Sequence, residues 1–118
     1  TATAVVNATG PWAARFLATA TPVTEDRELR LVKGSHIIVR KLFEHDHAYI
    51  FQAPDRRIVF AIPYEGDFTL IGTTDIEHHD RPETVQIDRD EIEYLCGLAN
   101  RYFRRSISPA DVVACYSG

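Results

Sequence analysis

The chain has 118 residues, 45% hydrophobic and 25% charged, with a formal net charge of −4; this is the composition of one globular domain with a real core. The acidic balance excludes a protein held to nucleic acid through phosphate contacts, which needs a basic surplus, and no apolar run approaches the ~20 residues of a membrane-spanning helix. Cys96 and Cys115 lack C-x-x-C spacing, so neither a disulfide framework nor a zinc knuckle is expected and the thiols read as reduced.

In chain order, Thr3 to Val6 predicts a short strand, and Asn7, Ala8, Thr9 and Gly10 a tight exit from it. Pro11 suits the first position of a helix, with Thr9 or Gly10 as its cap, so Pro11 to Ala18 is expected to be helical. A strand turning through glycine into a helix aims free N–H groups at one point, a geometry that suits anions. Thr19 to Glu28 reads as a linker of threonines, Pro22 and mixed charge. The change of composition places a domain boundary near Thr21, dividing residues 1–20 from residues 21–118.

Arg30 to Arg40, R-L-V-K-G-S-H-I-I-V-R, predicts a strand whose middle departs from a plain apolar core. With unbroken alternation, Lys33 and Ser35 share a face with Leu31 and Ile37, and His36 shares the other with Val32, Gly34 and Ile38. Gly34 leaves space beside the imidazole or marks a bulge that re-aims it. Such a strand can present His36 to a small ligand; a hydrogen-bonded structural histidine is the plain alternative.

Three further strands are expected at Ala48–Gln52, Arg57–Tyr64 and Phe68–Asp75, the second with Ile58, Phe60, Ile62 and Tyr64 on one face and Val59 and Ala61 opposite. Pro54-Asp55 and Glu65-Gly66-Asp67 supply hairpin turn chemistry. A helix over 88–105 follows. Asp88 is its N-cap, Glu91 completes a capping box, and Ile87 and Ile92 form a hydrophobic staple. Ile92, Leu95, Cys96, Ala99, Tyr102 and Phe103 make an apolar stripe for the sheet, with Cys96 inert on it, and Arg104 and Arg105 are placed at the dipole's negative end. Ser108-Pro109-Ala110-Asp111 is a capped turn before a last strand, Val112–Tyr116. The fold class is therefore α+β: a predominantly antiparallel sheet covered by one long helix, preceded by a short strand–helix unit.

His45 and His47, and the cluster His78-His79-Asp80, have spacings that could ligate a metal, but both lie in charged loop sequence and no metal is expected. Gly72-Thr73-Thr74-Asp75 closes a strand with hydroxyls and a carboxylate, read either as turn chemistry or as a pocket wall for a polyol.

Taken together, V-N-A-T-G-P-W (6–12), L-V-K-G-S-H-I (31–37), R-I-V-F-A-I-P-Y (57–64), I-G-T-T-D (71–75) and Y-S-G (116–118) resemble, in order and spacing, the flavin-dependent glycerol-3-phosphate dehydrogenases. The resemblance covers essentially the whole chain. It implies that residues 1–20 end an FAD-binding domain, with Ala8, Thr9 and Gly10 near the cofactor, and that residues 21–118 form a substrate-binding cap whose K-G-S-H and I-G-T-T-D strands roof the flavin. It implies oxidation of glycerol 3-phosphate to dihydroxyacetone phosphate, with electrons passing through FAD to a quinone. It makes His36 the candidate base or substrate-orienting group and Lys33, Ser35, Thr73 and Thr74 candidate substrate contacts; a surface ion pair is the preferred alternative for Lys33. A glycerol-3-phosphate oxidase of the same family and a non-catalytic assembly module are the competing readings.

There is no G-x-G-x-x-G, so the main dinucleotide-binding half is absent. The family's phosphate-facing arginine, which follows Y-S-G, falls beyond Gly118. The chain reads as a piece of a longer protein, expected to be inactive and not to bind FAD by itself, and able to dimerise through apolar surface that the flavin domain would cover. The N-terminus has no basic stretch leading into an apolar one, so no secretory leader is expected. The expected location is cytoplasmic, with the parent peripheral on the membrane's cytoplasmic face.

Overall fold

A computed structural model describes residues 2–22 and 29–118. Residues 23–28 of the expected linker lie outside them. The central feature is a five-stranded sheet in the order β3-β4-β5-β2-β7, formed by β2 (Ser35–Arg40), β3 (Tyr49–Gln52), β4 (Ile58–Tyr64), β5 (Phe68–Gly72) and β7 (Val112–Ser117). Every pairing is antiparallel. Two short strands, β1 (Val32–Lys33) and β6 (Ile76–Glu77), pair as a separate ribbon.

The expected single strand over Arg30 to Arg40 is thus two strands, divided at Gly34. There the chain leaves one sheet for the other, and Gly34 exchanges backbone hydrogen bonds with Gly118 at 2.8 and 3.1 Å. A Cβ on Gly34 would overlap the Thr73 hydroxyl, so glycine is what lets the two strand ends approach. The alternation nevertheless survives the division: Lys33, Ser35 and Ile37 are buried, whereas Val32, Gly34 and His36 are not.

The inner face of the sheet carries Ile37, Val39, Val59, Ala61 and Ile71 into a core with Leu95, Cys96, Leu98, Ala99 and Ile107. The helix α2 (Arg89–Tyr102) covers this face. Its start follows the expected chemistry: Glu91 N–H donates to Asp88 Oδ1 (2.9 Å) while Asp88 N–H donates to Glu91 Oε2 (3.0 Å). Its end differs. Phe103 leaves the helix with φ −98° and ψ 143° and stacks on Phe43 at 5.5 Å, so Arg104 and Arg105 lie past the last turn and Arg101 is the basic residue within it. Burial of an aromatic ring outweighs continuation of a helix already at its end. Tyr102, placed on the apolar stripe, is half exposed and lies flat on Phe51, centroids 4.2 Å apart.

Pro63 is tolerated in β4 because β3 pairs only with Ile58–Ala61, leaving no ladder partner on that side. At the N-terminus, Gly10–Trp12 forms a 3-10 turn leading into α1 (Ala13–Ala20). Thr3–Val6 forms no strand, and Val5 and Val6 are 70% and 88% exposed; a strand needs a neighbour, and among the described residues none pairs with this one. No helix among the described residues is long and apolar enough to cross a membrane.

Candidate functional site

The sheet's outer face is not covered by α2. Cross-strand pairing assembles one row along it: Ile50 opposite Phe60, Phe60 opposite Gly72, Gly72 opposite His36, and His36 opposite Tyr116. Ile50, Phe60 and Tyr116 are 68%, 38% and 48% exposed, an apolar and aromatic surface left open among the described residues. Gly72 is the gap in the row. A Cβ there would overlap the His36 ring, so glycine admits the imidazole.

His36 stacks on Tyr116 with centroids 4.8 Å apart and planes 9° from parallel. Its Nδ1 is buried and has no hydrogen-bond partner among the described residues. Burial lowers the His36 pKa below its ordinary value, which favours the neutral ring. Among the described residues no group fixes its tautomer, which leaves a bound hydroxyl free to set it. Beside the ring is an open depression of about 780 Å³, lined by Val32, Arg56, Phe60, Thr73 and Tyr116 among others.

Of the polar residues proposed to meet substrate, only the Thr73 hydroxyl is placed clearly on this rim, where it donates to the Thr74 carbonyl at 2.9 Å. Lys33, Ser35 and Thr74 are corrected: their side chains turn to the inner side and converge on Glu91, which is 2% exposed. Lys33 Nζ lies 2.6 Å from Glu91 Oε2 and donates to the Gln86 carbonyl at 3.0 Å. The Ser35 and Thr74 hydroxyls each donate to Glu91 Oε1 at 2.7 Å. Ser35 N–H donates to Thr74 Oγ1 at 2.9 Å, and the Ser35 and Ser117 hydroxyls share a bond of 2.7 Å. The physical reason lies in the alternation itself. Residues on the Ile37 side face the core, and a buried ammonium and hydroxyls require a buried acceptor. Lys33 thus forms an ion pair, but an interior one rather than the surface pair preferred above.

Glu91 is consequently the hub that ties K-G-S-H, T-T-D, the last strand and the helix N-terminus together behind His36. Burial pushes its carboxyl up; the Lys33 ammonium, the Asp88 N–H and the two hydroxyls outweigh that and hold it at about 2. Sequence reasoning found Glu91 only as a capping residue. The inward polar pair Lys33 and Ser35 was the signal that it had a second task. Tyr116 was missed as a partner of His36 because their opposition depends on the β2–β7 register, which no local pattern specifies.

Ala8, Thr9 and Gly10 form an exposed turn held by Asn7, whose Oδ1 accepts from the Thr9 hydroxyl (2.7 Å) and N–H (3.3 Å). Gly10 has φ +57°, and a Cβ there would meet nothing within 4 Å, so the turn is open to a ligand. The loop histidines are engaged locally: His45 Nε2 shares a hydrogen bond with the Tyr49 hydroxyl (2.7 Å), and His78 Nε2 approaches the Arg81 carbonyl (3.1 Å). Among the described residues no group of three or more His, Cys, Asp or Glu could hold a metal ion.

A family model described as FAD dependent oxidoreductase matches residues 1–118. The chain belongs to the FAD-dependent oxidoreductase family. It is 48% identical over 117 residues to a glycerol-3-phosphate dehydrogenase of Pseudomonas aeruginosa, covering 99% of this chain and 23% of the relative. It is 46% identical to a D-erythritol 1-phosphate dehydrogenase of Brucella abortus, covering 97% of this chain and again 23% of the relative. A crystal structure of glycerol-3-phosphate dehydrogenase from Bacillus halodurans complexed with FAD is similar in fold, with TM-score 0.77 and 27% identity over 92% of this chain and 22% of that one. The chain thus spans under a quarter of the length of these relatives.

Proposed function

We propose that these residues are the substrate-facing part of a flavoprotein that oxidises glycerol 3-phosphate to dihydroxyacetone phosphate, residues 1–20 ending its flavin domain and residues 21–118 forming its cap. The observation that carries this reading is His36, a neutral imidazole with an unpartnered buried nitrogen, set in an apolar row on an uncovered sheet face. Oxidation of the secondary alcohol removes the hydroxyl proton and the C2 hydrogen with its electron pair. His36 accepts the hydroxyl proton at the ring nitrogen facing the substrate, and a neutral ring is the form able to do so. Phe60 and Tyr116, which line the depression beside the imidazole, exclude water around the reacting carbon.

FAD, when bound, supplies the two-electron acceptor. Two features fit it: the apolar outer row, which suits a planar ring system, and the open turn at Ala8, Thr9 and Gly10, which lets a ligand approach the backbone. The electrons then pass to a quinone, and the parent sits on the cytoplasmic face of the membrane. With no G-x-G-x-x-G, the 118 residues alone are expected neither to retain FAD nor to turn over. Their uncovered row favours self-association of the isolated piece; a monomer by light scattering would oppose that.

The test is dye reduction by the parent protein with glycerol 3-phosphate, with erythritol 1-phosphate and with unphosphorylated glycerol. Turnover highest with glycerol 3-phosphate supports the reading. Turnover with erythritol 1-phosphate alone would move the substrate to the longer polyol, and none with either phosphate would overturn the reaction. Repeating the assay with a soluble quinone and with oxygen as acceptors separates a dehydrogenase from an oxidase.

A further inference from the structure

Glu91 is a buried carboxylate to which the reaction described above gives no task. With its carboxyl held at about 2, it is ionised at neutral pH. An ionised carboxylate only accepts hydrogen bonds, and this fixes the direction of every bond around it. The Ser35 hydroxyl gives its one proton to Glu91 Oε1 (2.7 Å), so in its 2.7 Å contact with the Ser117 hydroxyl it must accept. The Thr74 hydroxyl likewise donates to Oε1 (2.7 Å) and accepts the Ser35 N–H (2.9 Å), while the Thr74 N–H donates to the Ser35 carbonyl at 3.3 Å. Lys33 Nζ and the Asp88 N–H occupy Oε2 at 2.6 and 3.0 Å. One side chain of α2 thus holds three separate strand ends: Ser35 at the start of β2, Thr74 just past the end of β5 and, through Ser35, Ser117 at the end of β7.

Each of these three residues has an immediate chain neighbour that belongs to the outer face. His36 follows Ser35, Thr73 precedes Thr74 and Tyr116 precedes Ser117, and His36, Thr73 and Tyr116 all line the depression. Neighbours along a strand point to opposite faces, so a hydroxyl anchored inside sets the backbone from which the next side chain is presented outside. We propose that Glu91 is a positioning residue: by clamping Ser35, Thr74 and Ser117 it fixes His36, Thr73 and Tyr116 relative to one another, a role that rests on the reaction proposed above. Apolar side chains in place of Lys33, Ser35, Thr74 and Glu91 could fill the same interior without any charge, but they would not register three strand ends on one carboxylate. The stack of His36 on Tyr116, at 4.8 Å, bridges two of those ends and depends on that register.

The test uses the parent protein and separates placement from stability. Thr74→Val nearly keeps the side chain's shape and leaves the Lys33–Glu91 pair in place but removes the hydroxyl, Thr74→Ser restores the hydroxyl, and E91Q removes the charge itself. Leu95→Ala is the comparison, because Leu95 is a fully buried apolar residue of the same helix and holds none of the three strand ends. Each variant is assayed by dye reduction with glycerol 3-phosphate, well below its melting temperature and with flavin content measured. The kcat of T74V and of folded E91Q should fall roughly 10- to 100-fold, the scale of a misplacement of about 1 Å at a reacting group, with KM little changed. T74S should recover most of the rate, and L95A should lower the melting temperature while leaving kcat near wild type. If E91Q does not fold, T74V decides, since it keeps the ion pair. Wild-type kcat in T74V, or an equal fall in L95A, overturns the proposal and leaves the reaction intact. An inactive wild type overturns the reaction, and the proposal with it.

Discussion

Replacing Glu91 by glutamine removes the charge on which Lys33, Ser35, Thr74 and the helix N-terminus converge. Holding the carboxyl at about 2 instead of the ordinary 4.5 corresponds to about 3 kcal/mol of folding free energy at pH 7. The sign follows from the depressed value. An unfolded Glu91 binds a proton before the folded one does, so its contribution is complete above about pH 5 and declines as pH falls toward 2. At pH 3 about half or less should remain. The stranding of the Lys33 ammonium is the same loss seen from its partner and not a second one to be added. E91Q should therefore be less stable than wild type by about 3 kcal/mol at pH 7, with the gap narrowing to about 1 kcal/mol near pH 3. Urea denaturation of the 118-residue chain, followed by far-ultraviolet circular dichroism at both pH values, reads this directly. A gap under about 1 kcal/mol at pH 7, or one that does not narrow in acid, would refute the account of Glu91 as an ionised buried hub.

Two further outcomes follow from packing. Gly72→Ala places a Cβ against the His36 ring; it should destabilise the chain by roughly 1–3 kcal/mol and displace His36 from Tyr116, so turnover of the parent should fall even where the protein remains folded and flavin-loaded. A melting temperature and turnover both at wild-type level would contradict the close approach of β5 to that ring. Cys96 is buried and burial pushes its thiol up, whereas Cys115 is exposed. A thiol reagent such as a disulfide dye should modify one cysteine of the native chain at pH 8, and mass mapping should find it at Cys115; modification at Cys96 before unfolding would show that α2 does not seal the core.

The regular parts of the fold were legible because local chemistry specifies them. The capping box of Asp88 and Glu91, the alternation of Ile58 to Ala61 and the turn at Glu65–Asp67 each depend on residues a few positions apart. His36 was legible for the same reason: an imidazole beside glycine on the non-core face of a strand is a local anomaly. What was not legible depends on register and on distance along the chain. The opposition of Tyr116 to His36 joins residues 80 positions apart, and Glu91 reaches Ser35 across 56. Lys33, Ser35 and Thr74 read as substrate contacts because the resemblance places K-G-S-H and I-G-T-T-D over the flavin. Adjacency in a strand means opposite faces, and the alternation already assigned Lys33 and Ser35 to the core side. The fray of α2 at Phe103 was hidden because the aromatic cluster with Phe43, Tyr49 and Phe51 forms only in three dimensions.

The role of His36 is tested most directly by His36→Ala in the parent protein, with flavin content measured alongside dye reduction across pH 5 to 9. The account predicts full flavin content, kcat/KM for glycerol 3-phosphate reduced by ~100-fold or more, and loss of an acid limb that in wild type lies below the ordinary histidine value because burial lowers the His36 pKa. Wild-type turnover in the variant, or an acid limb that persists without the imidazole, would contradict it.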